Sequence, residues 1–213
     1  MHSLQETNKI SGTMAVNFFR EIRFQQTVLR LYGAIHAKNS ATYGPALQTL
    51  TAFSPDRFMI ETSEDNLLLS KFVWQSRENR DSFLTEECEH TESLAIAAGD
   101  AIGLSFSRIH SIDIDPWKVR MRLCKSALTH PFESLRLISR YHGRGLDVMS
   151  LEEVSSWRRD FLRTSPHAFE ILFTDREKHM RNEILRLSQP GEKVAVIVGL
   201  SHVDALYELL IDS

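Results

Sequence analysis

The sequence predicts an α/β fold in which a central mixed or mostly parallel sheet is flanked by helices, with a helical region in the middle of the chain. Three features carry that prediction. Lys193 to Gly199, KVAVIVG, is an almost unbroken β-branched run of the kind buried on both faces of a parallel sheet. Thr27 to Ile35 is a second apolar run, rich in β-branched and aromatic residues. Both runs end in one device, a glycine, two spacer residues and a histidine: Gly33 to His36 and Gly199 to His202.

The elements follow in order. Residues 1–26 open with a polar stretch and are set apart as an N-terminal segment, leaving a single domain over 27–213. After the first strand, Asn39 and Ser40 are N-cap types, and Leu47, Leu50 and Phe53 fall at helical spacing before Pro55 stops the element. Arg57 to Ile60 reads as a short second strand ending at Glu61, which completes a strand-helix-strand unit. From Glu64 to about Ala101, Leu67, Phe72 and Trp74, then Leu94, Ala95, Ala97 and Ala98, predict helices. Ile102 to Phe106 and Ser111 to Asp115 are short apolar pieces expected to add strand. Pro116 suits the first turn of a helix running through Met121 and Leu128, and Gly143 and Gly145 mark the next loop.

Ser150 to Glu153 has the pattern of a capping box, and Pro166 opens a helix through Met180 to Leu187 that Gln189-Pro190-Gly191 ends. Ser201 to Leu210 returns as helix after the KVAVIVG strand. There is no repeat, low-complexity segment or Pro/Gly/Ser-rich linker to support a domain boundary, so the helical middle reads as a subdomain or lid.

Composition narrows the function classes. With 213 residues, 42% hydrophobic and 25% charged, the chain can bury a core without a cross-link and has neither a disordered nor a membrane-spanning profile. A formal net charge of −3 gives the whole chain no electrostatic footprint for nucleic acid. Cys88 and Cys124 belong to no Cys-x-x-Cys spacing and are expected to be buried, reduced thiols. No leader and no span of about 18 apolar residues stands out, so a cytoplasmic location and no membrane span are expected. Phosphate-loop, dinucleotide and Gly-x-Ser-x-Gly motifs do not occur.

The candidate site comes from the strand ends. In a parallel α/β sheet, side chains just beyond the carboxyl ends of the strands line the ligand crevice, and glycine lets the chain turn there without a Cβ clash. His36, His202 and Glu61 should therefore meet at one sheet edge. Two imidazoles and a carboxylate are an open coordination set for a divalent metal, with manganese, cobalt, zinc and iron as candidates, and such an ion activates water and polarises a carbonyl. Without a metal, a histidine beside a carboxylate can act as a general base.

The runs LYGAIHA, FSPDRFMIET, DREKHM and VAVIVGLSHVDAL together resemble the TraB and Tiki family, within a broader superfamily of erythromycin esterases and ChaN-like proteins. The resemblance spans about Val28 to Leu210, with its specific motifs in those four stretches. It implies a hydrolase, and among hydrolases a metal-dependent peptidase. The polar pocket it implies contains His36, Glu61, Arg176 and His202, with Glu92 and Asp113 as additional members. Arg176 would orient an acidic group, and a peptide or small molecule would be the ligand. The chain departs from the family pattern at Ala34, at Asp175-Arg176-Glu177, at Asp113-Ile114 and at Asp204-Ala205. These losses motivate a rival reading, a non-catalytic binding protein that sequesters a peptide, metal or haem. A metal-free esterase with His36 as base is a third.

Other residues read more plainly. The basic run Lys118, Arg120, Arg122 and Lys125, continued by Arg136, Arg140 and Arg144, reads as a solvated helix face that an anionic partner could also use. Trp74, Trp117 and Trp157 read as packing residues. His90, His110, His130, His142, His167 and His179 lack motif spacing and read as structural or exposed.

Overall fold

A computed structural model describes residues 19–24, 26–34, 43–76, 91–141 and 151–212. The strands are β1 (Phe19–Phe24), β2 (Thr27–Ala34), β3 (Arg57–Ile60), β4 (Ile109–Ser111) and β5 (Lys193–Gly199). The helices are α1 (Tyr43–Phe53), α2 (Glu64–Ser76), α3 (Thr91–Ala101), α4 (Pro116–Thr129), α5 (Pro131–Tyr141), α6 (Leu151–Thr164), α7 (Pro166–Phe169), α8 (Asp175–Leu187) and α9 (Leu200–Ile211).

The sheet has the order β1-β2-β5-β3-β4, antiparallel only at the β1–β2 pair. The α/β class and the mostly parallel sheet expected from the sequence are therefore the observed ones. The two best apolar runs lie side by side at its centre, with Ala34 paired to Gly199 and Ile60 to Ile197.

Alternation along these strands feeds two cores. Tyr32, Ala34, Phe58, Ile60, Ala195 and Ile197 pack on one face beneath α1, α2 and α3. Leu29, Leu31, Met59, Val194, Val196 and Val198 pack on the other, against Met180 and Ile184 of α8 and Val203, Leu206 and Leu210 of α9. Helices on both faces are what a parallel sheet requires, because its crossovers must pass over the faces.

A third, smaller cluster lies in the helical part: Phe161, Ala168 and Phe173, joined by Leu123, Leu137, Tyr141 and Trp157. It unites α4 to α7 around an aromatic centre.

Several expectations shift. Phe19–Phe24, within the segment set apart as 1–26, pairs with β2 along its length and buries Ile22, so β1 is part of the sheet. The edge strand β4 falls at Ile109–Ser111, beyond the first of the two pieces proposed for strand and sharing only Ser111 with the second. Ile102 and Gly103 form a turn, and Phe106 opens a 3-10 turn ending at Arg108. Cys124 is exposed rather than buried, and so is Trp117. Both lie on α4, where no residue is buried. The proposed caps at Asn39, Ser40 and Ser150, the Gly143–Gly145 loop, Cys88, His90 and His142 lie outside the described residues. Among the described residues, no helix is long and apolar enough to cross a membrane.

Candidate functional site

The strand ends do assemble the described members of the predicted set. Glu61 follows β3 directly, and its backbone N–H still donates to the Ile197 carbonyl of β5 at 2.9 Å. Its side chain therefore leaves the sheet beside Gly199, whose N–H donates to Glu61 Oε2 at 2.6 Å. A Cβ at residue 199 would stand 3.3 Å from that oxygen. The Gly199 backbone, at φ −55°, is one that any residue adopts. Glycine here supplies room for a carboxylate, not the turn freedom expected of it.

His202, in the first turn of α9, is 3% exposed. Its Nε2 faces Glu61 Oε1 at 3.4 Å and its Nδ1 lies 2.8 Å from Glu177 Oε1. The Phe173 ring packs on the imidazole with centroids 5.4 Å apart. Arg158 of α6 donates to both oxygens of Glu177, at 2.6 and 3.2 Å, and also to the Ser201 carbonyl. Burial works to raise the Glu177 carboxyl, but the hydrogen bonds from His202 and Arg158 outweigh it and hold the group below its ordinary value.

Arg176 is drawn to the protein's own carboxylates. Its Nε donates to Asp113 Oδ1 at 2.9 Å, and its Nη2 donates to Asp113 Oδ2 at 2.5 Å and to Glu61 Oε1 at 2.6 Å. Its Nη1 donates to the Leu172 carbonyl at 3.4 Å. Burial disfavours the charged guanidinium, yet Asp113 and Glu61 more than compensate and raise its pKa. Arg176 makes no such pair with its chain neighbours Asp175 and Glu177. Asp175 instead pairs with Arg122, and Glu177 with Arg158.

Glu92, 6% exposed at the start of α3, accepts from Thr62 Oγ1 at 2.5 Å, one residue beyond Glu61. It buttresses the turn behind the site. His36 lies outside the described residues; the strand that leads to it ends at Ala34, beside Gly199.

The position of Arg176 and Glu177 depends on a local irregularity. Glu170–Thr174 forms a π-helical turn between α7 and α8. Such a turn holds one residue more than an α-helical turn and frequently occurs at functional sites. It places Phe173 against His202 and brings Arg176 and Glu177 in at its C-terminal end. Glu177, Arg158 and Phe173 were not singled out from the sequence. Glu177 could have been found as the residue after Arg176, but Arg158 and Phe173 carry no motif.

The chemistry of the group follows from its protons. A carboxylate only accepts, so Nδ1 of His202 carries its hydrogen toward Glu177. With a neutral ring, the Nε2 lone pair then faces a carboxylate oxygen, an unfavourable pairing unless a cation or a proton stands between them. Glu61, Asp113 and Glu177 face Arg158 and Arg176, one carboxylate more than guanidiniums, a charge that a protonated His202 or a bound cation would balance. Two ligands at about 2.1 Å in tetrahedral geometry stand about 3.4 Å apart, which is the observed separation of Nε2 and Oε1. The spacing admits a divalent ion, and equally a direct ion pair with a protonated imidazole, at an oxygen that also accepts from Arg176. A carboxylate behind the other imidazole nitrogen is the usual support of a metal-binding histidine. Among the described residues, no three His, Cys, Asp or Glu side chains form a complete ligand set.

No protein-family model and no curated protein sequence matches the chain.

Proposed function

We propose that the chain is a hydrolase of the TraB and Tiki type, acting on peptide or amide bonds, with His202, Glu61 and His36 holding a divalent metal. The observation that carries this reading is the aim of His202: Glu177 fixes Nδ1, leaving Nε2 and Glu61 Oε1 to share a ligand at 3.4 Å. When bound, the ion would polarise the scissile carbonyl and acidify a water. Glu177 fixes the tautomer and, ionised beside Arg158, raises the basicity of Nε2. Arg176 is a positioning residue: it pins Glu61 and Asp113 rather than clamping a substrate. Phe173 covers the imidazole and excludes water from that side.

Elemental mass spectrometry of the full-length protein after dialysis against manganese, cobalt, zinc and iron tests the metal set. Stoichiometric metal in wild type that is lost in a His36→Ala, His202→Ala double variant is expected, together with chelator-sensitive cleavage in a peptide library. Wild-type protein that takes up no metal would overturn the metal set. Full turnover after exhaustive chelation would support the metal-free esterase instead.

The engagement of Arg176 favours a second reading, a binding protein that sequesters a peptide, metal or haem. Its guanidinium donates to Asp113, Glu61 and the Leu172 carbonyl, all acceptors of the protein itself. Stoichiometric binding with no product by mass would favour that reading.

A further inference from the structure

The helices α4 and α5 form a hairpin that the folded core barely covers. Neither helix has a buried residue. On α4, Val119, Leu123 and Ser126 are half-buried at helical spacing, and on α5, Ser134, Leu137 and Tyr141 are. Leu123, Leu137 and Tyr141 join the Phe161–Phe173 cluster. The remaining surface is unexpectedly apolar. Trp117, Met121 and Leu128 lie within a narrow sector of α4 at 65%, 52% and 84% exposure. On α5, Phe132, Leu135 and Ile138 are likewise exposed, on the side turned from Leu137 and Tyr141.

Charge on the same hairpin is almost all of one sign. Residues 116–141 hold six Lys and Arg against a single carboxylate, Glu133, in a chain whose formal net charge is −3. Arg122 is paired with Asp175 and Arg140 with Asp160. Lys118, Arg120, Lys125 and Arg136 are exposed and have no carboxylate partner among the described residues. Between α5 and α6 a cleft of about 380 Å³ is lined by Arg136, Arg140, Arg163, Ser139, Thr164 and Asp160, three guanidiniums and two hydroxyls around one acid.

Large apolar side chains interleaved with cations on surface helices are the signature of an element that lies in a bilayer interface. We propose that the α4–α5 hairpin docks the protein on an anionic lipid bilayer, with its apolar side chains entering the acyl boundary and its cations meeting lipid phosphates. The charge asymmetry chooses this occupant. A second copy would bring two strongly cationic hairpins together. Nucleic acid would leave Met121, Leu128, Leu135 and Ile138 without a use, since strand binding relies on aromatic stacking and phosphate contacts. A lipid surface uses both properties at once.

The test is flotation of the full-length protein with vesicles of neutral phosphatidylcholine, or of phosphatidylcholine containing phosphatidylglycerol, while recording tryptophan emission. Trp117 is the exposed indole, whereas Trp74 is 3% exposed. Flotation with the anionic vesicles only, weakened by salt, is expected, with a blue shift of emission that disappears in Trp117→Phe. Each cation removed is expected to weaken binding about fivefold, so the Arg120→Glu, Lys125→Glu variant should lose more than tenfold. A Phe132→Ser, Leu135→Ser, Ile138→Ser variant should lose the retained binding at high salt. All these side chains are exposed, so circular dichroism should report unchanged folding. No flotation with anionic vesicles, equal flotation with neutral ones, or binding indifferent to both variants would overturn the proposal. So would a dimer in sedimentation whose dissociation requires the serine substitutions, or retention on an acidic protein or nucleic acid with none on vesicles.

Discussion

At the scale of single residues, the site depends on hydrogen bonds that leave few donors idle. Glu177 is 4% exposed and accepts from both His202 and Arg158. Glu177→Gln would leave Arg158 short of its charge partner, and breaking a buried pair in this way costs about 3 kcal/mol. The pH dependence has a definite sign. The folded carboxyl titrates below the unfolded value of 4.5, so its stabilisation is complete above that value and is lost as the pH falls through the folded one. Denaturant midpoints should therefore show the wild type most superior to Glu177→Gln at neutral pH, with the gap closing in acid. A gap that widens below pH 4 would contradict the assignment. At Gly199, an added Cβ would press on Glu61 Oε2 at 3.3 Å. Gly199→Ala is expected to cost about 1 to 2 kcal/mol and to weaken the proposed metal binding about tenfold, read by thermal melting and calorimetric titration.

At the scale of elements, the approach of α9 to β2 sets where His202 starts. A Cβ at Gly33 would lie 2.6 Å from Leu200 Cδ1 and 3.1 Å from Val203 Cγ2. Gly33→Ala must push α9 outward or force new rotamers, at an expected cost of about 1 to 3 kcal/mol. A thermal melt matching wild type would show that α9 has slack. The π turn between α7 and α8 is the other element that aims the site. Removing one residue from Glu170–Thr174 would restore an α-helical turn and change the bearing of Phe173 relative to Arg176. The core of α8, Met180 and Ile184, would hold its place against the sheet. Loss of the proposed metal binding with retained secondary structure, seen by elemental analysis and circular dichroism, is the expected outcome.

At the scale of the whole molecule, β1 closes one edge of the sheet. It pairs with Thr27 to Tyr32 of β2 in antiparallel register, and Arg20 reaches Asp204 of α9 at 3.2 Å. A chain begun at residue 27 would expose the edge of β2 and the apolar surface under Ile22. Unpaired strand edges promote association, so this truncation is expected to melt lower and to aggregate, as light scattering would report. Equal melting and a monomeric state would restore the boundary at residue 27.

The sequence by itself determined the sheet centre and the predicted site position. Two β-branched runs could be satisfied only by burial on both faces, and a carboxylate or histidine just beyond such a strand has few places to go. That is why Glu61 and His202 were legible, and why they meet although 141 positions separate them. The identity of their partners was decided by tertiary structure. Arg176 chose Asp113 and Glu61 because the π turn rotates it toward the sheet, and Arg158 reached Glu177 because an aromatic cluster seats α6 beside α9. β1 went unread because its FREIRF alternation is short and charged, and it gains stability only when β2 is already there to pair with. The exposed face of α4 and α5 was hidden for a related reason: an amphipathic pattern states that a helix has an apolar side, but only the assembled core shows which side it covers and which it leaves open.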